Sequence, residues 1–236
     1  MKHFQMTDVV AADPTVASNA WKPYGRHTSR ATPVGGLLKR AMDMIVAGMA
    51  IIALLPLFIG VGLVIRFSST GPVFYGHNRI GFDGTVFKCW KFRSMVSNGD
   101  EVLDDHLNRS AAARLEWHDT LKLKDDPRVT PIGRVIRKLS IDELPQLFNI
   151  LMGEMSVVGP RPVVAAELTR YGTAAKYYLR TRPGLTGLWQ VSGRNDVSYL
   201  RRVVMDRFYV SHHSVLMDCW IVLRTIPAVL SSRGAS

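Results

Sequence analysis

The sequence predicts an α+β protein, mainly α, with one membrane-embedded helix and a compact head that carries a small β-hairpin. Three observations lead there. Met44 to Ile65 is a run without a single charge, and a bilayer core requires about 20 apolar residues. Two β-prone stretches flank the turn pair Asp83-Gly84, a strong tight-turn signal. Beyond residue 100, short segments of helical character are separated by Gly- and Pro-containing breaks.

The chain has 236 residues, enough for one domain with a core plus a short appendage. Hydrophobic residues make up 47%, and the mean hydropathy is slightly positive, which points to a membrane rather than to a purely soluble domain. The formal charge of +11 draws the chain towards polyanions: nucleic acid, anionic lipid head groups or phosphate-rich substrates. Cys89 and Cys219 form neither a disulfide framework nor a metal-ligand spacing. Two reduced core thiols in a cytosolic compartment are expected.

Residues 1–33 are rich in Ala, Thr, Ser and Pro and show no period, which predicts a flexible tail. A membrane helix is expected over 34–68. Pro56 lies in the middle of its apolar run and predicts a bend near Leu55-Pro56. Lys22, Arg26, Arg30, Lys39 and Arg40 precede the run; Arg66, Arg79, Lys88 and Lys91 follow it. Basic flanks belong in the cytoplasm. A kinked span, the commoner arrangement, would place one flank outside, whereas a re-entrant hairpin keeps both inside. The charge symmetry and Pro56 favour re-entry, and local physics leaves both open.

The head is expected over 69–236. Val73-Phe74-Tyr75 and Val86-Phe87-Lys88-Cys89-Trp90 predict a β-hairpin ending in Lys91-Phe92-Arg93-Ser94-Met95. Residues 100–121 read as a polar helix, and Asp125-Asp126-Pro127-Arg128 as a turn. Ile132 to Leu139 predicts a short basic amphipathic helix, and Asp142 to Leu151 another. Met155 to Pro162 reads as a loop and Val163 to Leu179 as a helix broken at Arg182-Pro183-Gly184. Leu185 to Arg194 reads as irregular. Val197 to Val210 and Val215 to Leu230 predict two last helices. Aromatic and aliphatic residues beside arginines suit helices in the membrane interface plane, and equally suit core-facing helices. Asp218 and Arg224 argue against a second full span.

The chain carries no phosphate-binding glycine loop, dinucleotide fingerprint, zinc-protease motif or hydrolase elbow. His212-His213 reads as a solvated surface pair. In Arg137-Lys138-Leu139-Ser140-Ile141-Asp142-Glu143-Leu144-Pro145, two adjacent carboxylates follow a basic run. Ser140 and Glu143 have capping-box spacing, and local physics alone prefers that reading. The functional alternative is a carboxylate nucleophile beside a second carboxylate that helps hold a divalent cation. A carboxylate attacking phosphorus gives an acyl phosphate and splits one transfer into two steps. In Gly159-Pro160-Arg161-Pro162 two prolines fix the backbone around an arginine suited to phosphate. Arg182 to Arg194, with Gln190, contains glycines that allow close backbone approach to a ligand.

Taken together, these stretches and Asp126-Pro127-Arg128-Val129-Thr130 resemble the bacterial sugar transferase family, the monotopic phosphoglycosyl transferases, from about Lys39 to the end of the chain. The resemblance is greatest to members that load galactose or glucose for exopolysaccharide. It implies a re-entrant membrane helix hairpin, interfacial amphipathic helices and a compact cytosolic head at the inner membrane. It implies that Asp142 attacks the sugar-side phosphate of a UDP-hexose and releases UMP, and that undecaprenyl phosphate then takes the phosphosugar. Asp142 and Glu143 would act with Mg²⁺. The resemblance places Arg137, Pro160, Arg161 and Pro162 around the phosphates, and Gln190 and Arg194 in the stretch tied to nucleotide-sugar recognition. Lys91 and Arg93 fall in a family motif whose role the sequence leaves open. Some members have Ser before the membrane proline, where this chain has Leu55. Membrane lipids are expected partners, a homodimer is allowed, and nucleic acid is not expected.

Two other readings compete. A membrane-tethered nucleic-acid-binding protein explains the charge but not Asp142-Glu143, which would repel a phosphate backbone without a metal. A scaffold protein of a polysaccharide assembly complex predicts that Asp142→Asn leaves function intact. Multi-span phosphosugar transferases need many membrane helices, and this sequence has one clear candidate.

Overall fold

The computed structural model describes residues 32–120, 123–193 and 197–230. The tail expectation therefore falls almost wholly outside the described residues. The chain proceeds as α1 (Gly36–Ser68), β1 (Phe74–Ile80), β2 (Val86–Phe92), α2 (Gly99–Arg109), α3 (Ala111–Thr120) and α4 (Pro131–Lys138). A 3-10 turn, Ile141–Glu143, leads to α5 (Gln146–Met152). There follow β3 (Ser156–Val158), α6 (Ala165–Thr169), α7 (Ala175–Tyr178), β4 (Gly184–Thr186) and α8 (Leu188–Val191). The last elements are α9 (Tyr199–Ser211) and α10 (Val215–Leu230). The described residues are thus mainly helical, with two small two-stranded sheets among them, β1-β2 antiparallel and β3-β4 parallel.

α1 forms because its run lacks helix breakers apart from Pro56, which lies inside the helix without ending it. The helix continues through Pro56, since a proline removes only the bond to the carbonyl four residues back. Lys39, Asp43, Ala47, Phe58 and Ile65 are buried. At 100° per residue they fall on one narrow face. Met44, Ile45, Met49, Ile52, Leu55, Leu57, Ile59, Leu63, Val64 and Phe67 cover the rest and are exposed. A helix apolar nearly all round, with a single packed stripe, cannot be satisfied by water.

The stripe meets the head at both ends of α1. Lys39 Nζ donates to Asp218 Oδ2 at 2.7 Å in a buried pair. Arg40 donates to the carbonyls of Ile150 and Leu151. Further along, the Phe58 ring lies 5.6 Å from Phe148 and 5.5 Å from Phe92. Arg93 binds the carbonyls of Ser69 and Thr70 at 2.9 and 2.8 Å, closing the C-terminal end of α1. Ala47, Phe58, Ile65, Phe87, Cys89, Phe92, Ile136, Leu147, Ile150 and Met155 form one core.

The hairpin matches its expectation, with Phe82–Gly84 as its turn. Five expectations need correction. The polar helix over 100–121 is broken at Ser110 into α2 and α3. The helix over Asp142 to Leu151 is a 3-10 turn and then α5, because Pro145 restarts the chain. The helix over Val163 to Leu179 is likewise three short pieces, split around Gly172. The loop Met155 to Pro162 and the irregular stretch after Arg182 contribute the paired strands β3 and β4, which three residues of local pattern cannot announce. Asp126 and Arg128 pair through two hydrogen-bonded nitrogens, and Arg128 lies over the Trp117 ring at 5.1 Å. This motif ties the exit of β2 to the start of α4 through Val96 N–H and the Arg128 carbonyl, 2.9 Å apart.

α9 and α10 each leave an apolar stripe exposed: Leu200, Val204 and Phe208 on one, Leu216, Trp220, Leu223 and Ile226 on the other. Cys89 is buried, as expected of a core thiol, whereas Cys219 on α10 is exposed. His213 is no solvated partner of His212, because it reaches Asp218 Oδ2 at 3.1 Å.

Candidate active site

The turn that carries Asp142 and Glu143 is set by α4. Thr130 caps that helix, its hydroxyl accepting from Gly133 N–H at 2.9 Å, and Pro131 occupies the first turn. At the far end Ser140 takes a left-handed conformation with φ 56. Its side chain makes no cap hydrogen bond, so the capping box read from Ser140 and Glu143 does not form. The chain instead turns Asp142 and Glu143 back towards β2.

Lys91 on β2 meets them. Its Nζ lies 2.7 Å from Glu143 Oε1 and 3.6 Å from Asp142 Oδ2. The approach of β2 is fixed by Asn149, which is fully buried on α5. Asn149 Oδ1 accepts from Trp90 N–H at 3.0 Å, and its Nδ2 donates to the Lys88 carbonyl at 2.7 Å. An amide side chain thereby acts as one more rung beside β2. Arg161 completes the group, its Nη2 lying 3.7 Å from Glu143 Oε1. The loop that carries it is held from both sides. Asp43 of α1 accepts from Ser156 Oγ and Val157 N–H at 3.0 and 2.9 Å. Gly159 and Gly184 approach so closely that a Cβ on Gly184 would lie 2.1 Å from Gly159 N.

A cavity follows from these placements, lined by Arg79, Cys89, Lys91, Glu143, Gln146, Arg161, Pro162, Gly184, Leu185 and Gln190. Gln190 Nε2 donates to the Leu185 carbonyl at 3.3 Å, while its buried Oε1 has no partner among the described residues. An unpaired buried acceptor in such a cavity suits a ligand hydroxyl or N–H.

The two carboxyls differ in environment. Burial pushes the Asp142 carboxyl above its ordinary value; Lys91 and Arg137 oppose this, and Glu143 adds to it. Burial also works against ionisation of Glu143, but Lys91 and Arg161 overcome it and hold Glu143 down at about 2. Glu143 is therefore a fixed negative charge, and Asp142 is the poorly solvated partner. His77, on the same face of the hairpin, is lowered by burial and by Arg79 and Lys91, as befits a cationic pocket.

Of the residues singled out from sequence, the structure brings together Asp142, Glu143, Lys91, Arg161, Pro162 and Gln190, with Pro160 buried in the same loop. Arg137 is exposed on the last turn of α4 and acts on Asp142 electrostatically. Arg93 points elsewhere: it is a cap of α1, and Leu55 and Pro56 lie along α1. Arg194 lies outside the described residues. Sequence reasoning missed Arg79, Gln146 and Asn149. Period-two alternation along Tyr75, His77 and Arg79 could have placed Arg79 on the face of Lys91; nothing local marked Asn149.

Among the described residues no three His, Cys, Asp or Glu side chains form a metal-binding group. Asp142 and Glu143 remain as two hard oxygen donors. Such a pair suits a cation that takes its other ligands from water and a phosphorylated substrate.

Against known proteins, the family model described as bacterial sugar transferase matches residues 34–232. The chain is 57% identical over 210 residues to the exopolysaccharide production protein ExoY of Sinorhizobium fredii, covering 89% of this chain and 93% of that one. It is 50% identical over 198 residues to the undecaprenyl-phosphate galactose phosphotransferase of Salmonella typhimurium, covering 84% of this chain and 41% of the other. It is 37% identical over 207 residues to the UDP-glucose:undecaprenyl-phosphate glucose-1-phosphate transferase of Escherichia coli, covering 83% and 41%.

Proposed function

The chain belongs to the bacterial sugar transferase family, and from that premise we propose that it is a phosphoglycosyl transferase opening exopolysaccharide repeat-unit assembly. It transfers hexose 1-phosphate, galactose or glucose, from a UDP-sugar to undecaprenyl phosphate. The observation that carries this reading is Asp142: a buried carboxylate 3.6 Å from a lysine, beside a carboxylate already committed to two cations.

An Asp142 oxygen attacks the sugar-side phosphorus. The bond to the bridging oxygen breaks, UMP leaves with that oxygen, and an aspartyl-phosphosugar remains. A phosphate oxygen of the acceptor then attacks the same phosphorus and expels the Asp142 carboxylate, giving undecaprenyl-diphosphate-sugar. Lys91, Arg161 and Arg137 offset phosphate charge along this path. Mg²⁺, held by Asp142 and Glu143 together with the diphosphate, would supply further charge neutralisation. Lys91 keeps both carboxylates oriented, and Glu143 stays ionised throughout.

The same reading places the protein on the cytoplasmic face of the inner membrane, with α1 re-entrant. A 33-residue helix is about 50 Å long, more than a hydrocarbon core of about 30 Å. Arg40 and Phe58 would be about 27 Å apart along a straight helix. Yet they touch Leu151 and Phe148, on one short helix. Both halves of α1 docking on one head supports keeping both flanks on one side. Beyond Phe148, an apolar groove lined by Phe74, Trp90, Pro145 and Phe148 suits an isoprenoid chain.

The test is UMP release from radiolabelled UDP-galactose and UDP-glucose by detergent-solubilised protein with Mg²⁺ and undecaprenyl phosphate. Wild type should give UMP and lipid-linked label from one sugar; Asp142→Asn should give neither. Equal activity in Asp142→Asn would overturn the nucleophile assignment. For topology, a cysteine at Pro23 in a Cys219→Ser background should resist labelling from the periplasmic side; strong labelling would sink the re-entrant arrangement.

A further inference from the structure

We propose that Arg79 is a second guanidinium, paired with Arg161, that holds the nucleotide-side phosphate of the donor and of the UMP that leaves. The inference rests on the transfer reading above.

The register of the hairpin pairs Tyr75 with Lys91, His77 with Cys89 and Arg79 with Phe87. Directly opposed residues share a face of the sheet, so Arg79 projects on the same side as Lys91, into the cavity that Arg161 also lines. The two arginines are brought together by backbone. Ile80 N–H donates to the Val163 carbonyl at 2.9 Å, and Tyr178 OH locks this bridge by donating to the Ile80 carbonyl at 2.6 Å and accepting from Val163 N–H at 3.2 Å. Arg79 immediately precedes one end of the bridge, and Arg161 lies two residues before the other.

The placement is electrostatically costly without a ligand. Arg79 is half-buried, and its side chain has no hydrogen bond or ion pair to any described residue. Burial, and after it the neighbouring Arg161, disfavour its charge more than Cys89, Glu167 and Tyr178 favour it. A guanidinium offers five donors in a fixed fork that matches a phosphate. Two such forks around one cavity suit a phosphate monoester.

Charge order along the site says which phosphate. Lys91 Nζ lies 3.6 Å from Asp142 and 2.7 Å from Glu143, Arg161 Nη2 lies 3.7 Å from Glu143, and Arg79 lines the cavity with Glu143 and Arg161, whereas Asp142 and Arg137 lie outside that lining. Lys91 is thus shared, Arg137 lies at the Asp142 end, and Arg161 and Arg79 lie at the Glu143 end. The phosphorus attacked by Asp142 belongs beside Lys91. The Arg137 end belongs to α4, which packs on α1 and exposes Val135, with Leu139 exposed directly after it, so it faces the side from which a lipid phosphate would come. The opposite end, with Arg79, is left for the nucleotide phosphate.

The experiment measures UMP affinity by calorimetry, and the KM for donor and for acceptor, on full-length wild type, Arg79→Gln and Arg79→Lys. Arg79→Gln should weaken UMP binding about 10- to 100-fold and raise the donor KM, with the acceptor KM within twofold of wild type. Arg79→Lys, which keeps charge without the fork, should show a smaller loss of the same pattern, and it carries the test if Arg79→Gln fails to fold. UMP affinity within twofold of wild type in both variants, or an equal rise in the acceptor KM, would overturn the proposal. A wild type that neither binds nor releases UMP would instead overturn the transfer reading itself.

Discussion

Lys91 donates to Glu143 at 2.7 Å while its Nζ remains 3.6 Å from Asp142. One ammonium therefore acts on both carboxyls, held by a strand that Asn149 fixes from the opposite helix.

Removing that ammonium should move the acid limb of the pH profile. Lys91 is the largest influence opposing the burial that raises Asp142. In Lys91→Gln, Asp142 needs a higher pH to ionise, and Glu143 rises from about 2. The acid limb of UMP release is expected to shift upward, with the maximal rate falling about 100-fold or more. A profile that keeps its position while only the rate drops would show that Lys91 does not control Asp142.

Asn149→Ala should destabilise the head by about 3 kcal/mol, because it leaves Trp90 N–H and the Lys88 carbonyl without their partner in a buried place. Denaturant unfolding checks the magnitude. The activity lost should exceed the fraction unfolded, since Lys91 loses its registry with the reactive turn.

Asp206 gives a pH dependence of stability unrelated to the site. Burial is the main cause that lifts its carboxyl to about 8, against the hydrogen bond from Tyr171 OH at 2.9 Å. A raised folded-state value means that the stabilising proton is fully effective below the unfolded value of 3.8 and is lost as pH rises to about 8. Thermal unfolding midpoints should therefore decline across this window in wild type. In Asp206→Asn the decline should flatten. An unchanged slope would mean that Asp206 is not the group responsible.

Lys39 and Asp218 join the start of α1 to α10, with Tyr209 OH donating to the other carboxylate oxygen at 2.7 Å. Lys39→Met removes the cation of a buried pair, leaving the Asp218 carboxylate to Tyr209 and His213, and should cost about 3 kcal/mol. Adding Asp218→Asn should recover part of that loss, because the amide keeps a polar contact without the charge. Unfolding of the two variants in the same detergent measures the recovery; a further loss in the double variant would argue against a direct pair.

The sequence by itself determined the long apolar helix, the hairpin around Asp83-Gly84, the last two helices and the Asp142-Glu143 pair. These are local: periodicity, turn chemistry and adjacent charges are written in consecutive residues. Tertiary structure decided what those residues are for. Ser140 and Glu143 have the spacing of a helix cap, and only the left-handed turn at Ser140 together with Lys91, 52 residues earlier in the chain, makes Glu143 an ion-pair partner instead. Arg93 and Lys91 sit in one motif on alternate positions, and the packing of α1 sends one to cap a helix and the other to the carboxylates. Arg79 enters the site because strand register and the Ile80–Val163 bridge bring distant segments together. A cap or strand period can be read from neighbours in the chain. A cavity can be read only from neighbours in space, since burial and charge pairing are set by contacts between residues far apart in sequence.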